Sequence, residues 1–135
     1  MKAVLQRVSK ATVTINEIDS ASINSGLVVL VGIENGDTID DIIWLAGKIS
    51  RLRIFNDMNG IMNLSLNEIN GEMLVVSQFT LHASTKKGNR PSYSKAAKPD
   101  IAIPIYEKFL DALQKECRNV IKSGTFGANM KIELI

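Results

Sequence analysis

In one stretch of the sequence an apolar run gives way to groups able to hold a polar molecule: Val75-Val76 is followed at once by Ser77-Gln78-Phe79-Thr80. A strand ending there presents hydroxyls, an amide and backbone donors released from the ladder at one end of a sheet, which suits a polar ligand. Ser and Thr also end strands because they satisfy nearby backbone groups, so the tetrapeptide alone does not choose between the two readings. Two further stretches could take part. Lys87-Gly-Asn-Arg-Pro-Ser-Tyr93 is basic, and Gly124-Thr-Phe-Gly-Ala-Asn-Met130 is a turn whose glycines require no more than a tight bend.

Other chemistry fails on inventory. The chain has one histidine, His82, and one cysteine, Cys117, which excludes an intrachain disulfide, a cysteine-rich zinc site and a multi-histidine metal site. No nucleophile-elbow or phosphate-loop motif occurs. No metal and no cofactor is therefore expected. His82 reads as a loop or surface histidine, although its place directly after the candidate strand keeps it in play. Cys117 reads as a buried or half-buried thiol near a helix end. Asp40-Asp41 sits at a helix start, where acidic side chains favour the dipole without a catalytic role.

The elements that must position these residues fit one domain of 135 residues, 45% hydrophobic and 22% charged, enough for a single core. The longest nearly apolar run, Leu27 to Ile33, is far short of a bilayer span, and Met1-Lys2 leads into mixed sequence. A soluble, cytoplasmic protein without membrane contact is expected. The net charge of +2 conceals an uneven distribution: no acid lies between Glu72 and Asp100, where Lys86, Lys87, Arg90, Lys95 and Lys98 make one basic segment. That segment is equally a solvated loop or a phosphate-binding surface.

Alternation predicts early strands over residues 3–8 and 11–15, a short segment near 21–23, and a central strand at Leu27–Val31, apolar on both faces. Thr38-Ile-Asp-Asp41 resembles a capping box, and the spacing of Ile39, Ile42, Ile43, Ala46, Ile49 and Leu52 predicts a helix over 39–50. Residues 52–55 return to strand character. Asn59-Gly60 and Asn70-Gly71 are two-residue hairpin signals around 62–69, followed by a strand over 73–79. A loop from 81 to 98 leads to a second helix with Ala102, Ile105, Tyr106, Phe109, Leu110 and Leu113 on one face, begun by Pro99 and bent or delayed by Pro104. Strands near 119–121 and over 130–135 complete an α/β domain in which stacked sheets are covered by helices.

Taken together and in order, these stretches closely resemble the D-aminoacyl-tRNA deacylase (D-tyrosyl-tRNA deacylase) family. Met1-Lys-Ala-Val-Leu-Gln-Arg-Val8 is similar to its amino terminus, and Leu52-Arg-Ile-Phe55 with Met62-Asn-Leu64 to its middle. Val75-Val-Ser-Gln-Phe-Thr-Leu81 matches its most characteristic motif, Lys87-Gly-Asn-Arg-Pro-Ser92 its basic loop, and Gly124-Thr-Phe-Gly-Ala128 with Met130 its late turn. Several motifs in one order are far more specific than any one of them, and they span essentially the whole chain.

The resemblance implies a barrel-like fold of two stacked β layers with helices, a cytoplasmic homodimer, and hydrolysis of the ester joining a D-amino acid, or mischarged glycine, to transfer RNA as translation quality control. It further implies that Ser77, Gln78, Phe79 and Thr80 line a pocket for the 3′-terminal adenosine and aminoacyl group, with Phe126, Gly127, Ala128 and Met130 as another wall. Arg7 matches the arginine that helps hold the chirality-selecting loop, and Lys86, Lys87 and Arg90 are placed to contact phosphates. The implied mechanism depends little on side chains and is assisted by the ribose 2′-hydroxyl; Thr80 has no base beside it in sequence. The family continues past the last strand into Asn-Asp-Gly-Pro, whose cis Gly-Pro peptide enters the partner's pocket and excludes L-amino acids. The sequence ends at Ile135, and is expected to be a shortened form of the working protein. A catalytically silent nucleic-acid-binding dimer of the same fold, and a general esterase for small substrates, stand as alternatives.

Overall fold

A computed structural model describes residues 1–135, the side chains of Asp19 and Ser20 excepted. Strands β1 (Lys2–Val8), β2 (Ala11–Ile15), β3 (Ile18–Ile23) and β4 (Gly26–Gly32) precede helix α1 (Ile39–Arg51). The short strands β5 (Phe55–Asn56) and β6 (Met62–Leu64) follow, then β7 (Glu72–Ser77), a single 3-10 turn over Phe79–His82, helix α2 (Pro99–Glu116), β8 (Ile121–Ser123) and β9 (Met130–Leu134).

Strands β1, β4, β7 and β8 form one sheet in that order, with β4 parallel to β7 and β7 parallel to β8. Strands β3, β2 and β9 form an antiparallel second sheet. A parallel pair needs a long crossover, and the intervals holding α1 and α2 supply it. The alternation within β4 and β7 then sorts the core into two layers. Leu27, Val29, Val31, Met73 and Val75 pack with Ile42, Ile49, Phe109 and Leu113 of the helices. Val28, Leu74 and Val76 pack with Val8, Ala11, Val13 and Ile23 of the second sheet. Burial on both faces explains why these strands read as unbroken apolar runs, and each such side chain contributes about 1.5–3 kcal/mol. The expected stacked sheets with helices are observed.

Helix α1 starts at Thr38, whose backbone N–H (2.8 Å) and hydroxyl (2.9 Å) both donate to the Asp41 carboxylate. That pairing holds the Asp41 carboxyl below the usual carboxylate range. The helix buries Ile42, Ala46 and Ile49 as its periodicity predicts, but leaves Ile39 and Ile43 exposed.

Several local expectations are corrected. Asn59-Gly60 does join two paired strands, but in a longer loop organised by Asp57, whose Oδ1 accepts the N–H groups of Asn59 (2.9 Å) and Ile61 (3.1 Å). Asn70-Gly71 ends a helical turn, with Gly71 N–H donating to the Leu66 carbonyl at 2.9 Å, and the strand after it pairs with β4 and not with β6. The tight two-residue reversal falls at Asn16-Glu17 (φ 50° and 63°), between β2 and β3, so β3 begins at Ile18 and not near Ala21. Residues 52–54 are not strand: Leu52 closes α1 through its N–H to the Ile49 carbonyl. Pro104 does not delay α2, which runs unbroken from Pro99. The proline removes the donor that would meet the Asp100 carbonyl, but both residues lie on the exposed face of the helix. Strand β8 begins two residues later than expected, at Ile121.

Candidate active site

Strand β7 stops at Ser77, earlier than expected, because the parallel ladder to β4 ends there: Ser77 pairs with Val31, and Gln78 N–H donates to the Val31 carbonyl at 2.7 Å. The chain then turns immediately into the 3-10 segment. Gly32 permits that turn, since a Cβ there would lie 2.9 Å from the Gln78 carbonyl oxygen and 3.1 Å from the Leu81 side chain.

A cleft of about 300 Å³ opens at this junction. Ser77, Gln78 and Phe79 form one side, while Phe126, Gly127, Ala128 and Met130 of the late turn form the opposite side. The strand end and the late turn are some fifty residues apart in sequence, and the structure brings them together. Gly127, at φ 74°, takes the left-handed conformation that the bend requires. The floor is apolar and includes Val31 and Val76, with Ala97 from the loop just before α2 and Ala102 from its first turn. Asn129, which the sequence did not single out, adds an amide at the rim. Its place inside the late-turn motif was the available signal.

Thr80 does not line this cleft. It is half-buried beside it, and its Oγ1 accepts a hydrogen bond from Gln78 Nε2 at 2.5 Å. Phe79 is 56% exposed and meets Tyr93 edge to face, with centroids 5.3 Å apart and planes at 78°. Phe126 is held from behind by Tyr106 (5.7 Å between centroids), whose hydroxyl donates to the Val75 carbonyl at 3.2 Å. The same carbonyl accepts the Gly124 N–H, so α2, β7 and the late turn meet at one oxygen. Burial pushes the Tyr106 hydroxyl up to about 12, which keeps it a neutral donor at any working pH.

His82 is not a surface residue: it is 2% exposed, packed under Gly32 by the 3-10 turn, and its Nδ1 lies 4.0 Å from Glu34 Oε1. It is not among the residues that line the cleft. Cys117 is buried as expected, at the end of α2, and burial pushes its thiol up to about 11. Arg7 lies apart from the cleft, toward the opposite end of the sheet, where β1 pairs it with Leu27. Its guanidinium donates to the Ile54 carbonyl (2.8 Å) and Asn56 Oδ1 (3.2 Å) and stacks on Phe55 at 5.5 Å. Lys86, Lys87 and Arg90 are exposed on a loop closed by two hydrogen bonds between Ser84 and Ser92 (2.8 and 2.9 Å). Among the described residues no cluster of three or more metal-ligating side chains occurs, and no helix is long and apolar enough to cross a membrane.

A family model described as D-Tyr-tRNA(Tyr) deacylase matches residues 4–135. A Flavobacterium johnsoniae protein named D-aminoacyl-tRNA deacylase is 58% identical over the whole chain, which spans 90% of that relative. A Parabacteroides distasonis protein of the same name is 59% identical, with the same coverage. Among solved structures, a c-Myc DNA unwinding element binding protein superimposes with TM-score 0.94 at 39% identity, covering 99% of this chain and 91% of that one. A probable eukaryotic D-amino acid tRNA deacylase shares the fold, with TM-score 0.80 at 18% identity, covering 98% and 92%. The strand-end motif, the late turn facing it across the cleft and the match along nearly every residue make this chain a member of the D-Tyr-tRNA(Tyr) deacylase family.

Proposed function

We propose that this chain hydrolyses the ester between a D-amino acid, or glycine, and the 3′ end of transfer RNA. The observation that carries the reading is the single cleft shared by Ser77, Gln78 and Phe79 and by the late turn from Phe126 to Met130. Its apolar floor suits a base and a side chain, while the hydroxyl, amides and strand-end backbone at its rim suit a ribose and an ester. In this reading water adds to the ester carbonyl, the bond to the ribose oxygen breaks, that oxygen takes up a proton, and free amino acid and transfer RNA leave. An aminoacyl ester is already labile, so orientation and backbone donors aimed at the developing oxyanion supply the needed stabilisation. Thr80 acts here as the hydrogen-bond partner that holds the Gln78 amide, and Arg7 as the brace of the 54–56 segment. Lys86, Lys87 and Arg90 contact phosphates. The working form is a cytoplasmic homodimer, a part of the reading that rests on the family resemblance.

Hydrolysis of D-tyrosyl- and L-tyrosyl-tRNA, measured side by side, tests the reading. Turnover of the D-form is expected; turnover of neither, or of small neutral esters equally well, defeats it. The relative described as binding a DNA element gives a second reading, a nucleic-acid-binding protein without hydrolysis. Tight binding of transfer RNA with both esters left intact is its signature in the same assay.

A further inference from the structure

Phe79 and Tyr93 are large aromatic residues left 56% and 38% exposed while their rings meet, so part of each stays open to water. Exposed aromatic area of this kind marks a surface for a ligand with an apolar face and a polar edge. The two rings belong to different parts of the site. Phe79 lines the cleft; Tyr93 does not, and stands on the outer side of Phe79 toward the basic loop. Tyr93 is also fixed in place. The Ser84–Ser92 hydrogen bonds close the loop immediately before it, and its own carbonyl accepts the Ala96 N–H at 3.0 Å immediately after it. Exposed Lys86, Lys87, Arg90 and Lys95 lie on the same segment, without an acid between residues 73 and 99.

We propose that Tyr93 is a stacking platform for the nucleotide before the terminal one, so that the single-stranded 3′ end leaves the cleft across the Phe79–Tyr93 corner and runs onto the basic loop. The proposal deepens the functional reading and rests on its placement of the terminal nucleoside in the cleft. Every base has a π-face, so a ring fixed at this point holds the strand without selecting sequence, and the lysines and arginine beyond it take up the phosphates. Rings at nearly right angles form a corner. A base lying on Tyr93 abuts Phe79 and is thereby registered against the nucleoside inside the cleft.

Binding of deacylated transfer RNA by the whole chain, followed by fluorescence anisotropy, tests this in a cycle with two RNAs: one intact, the other abasic at the penultimate nucleotide. Tyr93→Ala is expected to weaken binding of the intact RNA about tenfold, within the range that one base–aromatic stack supplies. Tyr93→Phe, which keeps the π-face, is expected to stay near the unsubstituted protein, and on the abasic RNA all three proteins should bind alike. An equal loss on both RNAs would make Tyr93 a support for Phe79 or the loop and overturn the proposal. No loss on either, or a loss traced by sedimentation to weakened self-association, would overturn it too. D-tyrosyl-tRNA hydrolysis by the unsubstituted protein is measured alongside. Its absence, with the base-dependent Tyr93 effect intact, defeats the hydrolase reading and leaves the stacking site standing.

Discussion

Gln78 Nε2 donates to Thr80 Oγ1, and a hydroxyl that accepts from an amide is made less nucleophilic, not more. Thr80→Ala is therefore expected to lower kcat/KM for D-tyrosyl-tRNA by no more than about tenfold, whereas loss of a true nucleophile or base costs several orders of magnitude. A covalent aminoacyl ester trapped on Thr80 would contradict that expectation. At this scale the sequence was informative where chemistry is local. Ser77, Gln78 and Phe79 stood out because hydroxyl and amide follow an apolar run, and they do line the cleft. His82 was misread for the complementary reason. Its burial depends on Gly32, fifty residues earlier, having no side chain in the space the imidazole fills, and nothing near His82 in sequence announces that.

The basic loop behaves as a unit because the Ser84–Ser92 hydrogen bonds close it while residues 85–91 stay exposed. Replacing Lys86, Lys87 and Arg90 together by glutamine is expected to weaken transfer RNA binding and to reduce the slope of log K against log salt by about 2, since each phosphate contact to single-stranded or duplex nucleic acid contributes roughly 0.7–0.9. A titration at several salt concentrations checks this, and an unchanged slope would make the loop a solubilising surface. Elements were legible where one long period dominates: α1 begins where Thr38 and Asp41 predict, and α2 buries Ala102, Tyr106, Phe109 and Leu113 on one face. Turns were not. The Asn-Gly pairs lost to a neighbouring side chain, Asp57, in one case and to the parallel pairing of β7 with β4 in the other, while Asn16-Glu17 made the tight reversal without a glycine.

For the molecule as a whole, three carboxylates tie down turns by accepting local hydrogen bonds: Asp41 from Thr38, Asp57 from Ile61 and Asn59, and Glu68 from Ser65. Each is held below its ordinary value, 3.8 for the aspartates and 4.5 for Glu68. A depressed folded-state pKa contributes stability that is full above the unfolded value and is lost as pH falls through the folded one. Urea unfolding midpoints are accordingly expected to hold between about pH 7 and 5 and to decline below about 4, with Thr38→Ala removing part of that decline. A midpoint indifferent to acid would show that these bonds persist in the unfolded chain. The two-layer architecture was legible because β4 and β7 are apolar on both faces; the cleft's second wall came only from the family resemblance, because no local pattern announces the late turn folding against β7. That cleft shares its floor with both cores: Val31 belongs to the layer under the helices, and Val76 to the layer between the sheets. A substitution that reshaped the floor would disturb the packing that keeps the protein folded, whereas Gln78, Phe79, Gly127 and Asn129 at the rim belong to neither core. Drift in substrate preference among descendants of this chain is thereby channelled to the rim, and directed evolution toward a new acyl group has its latitude there.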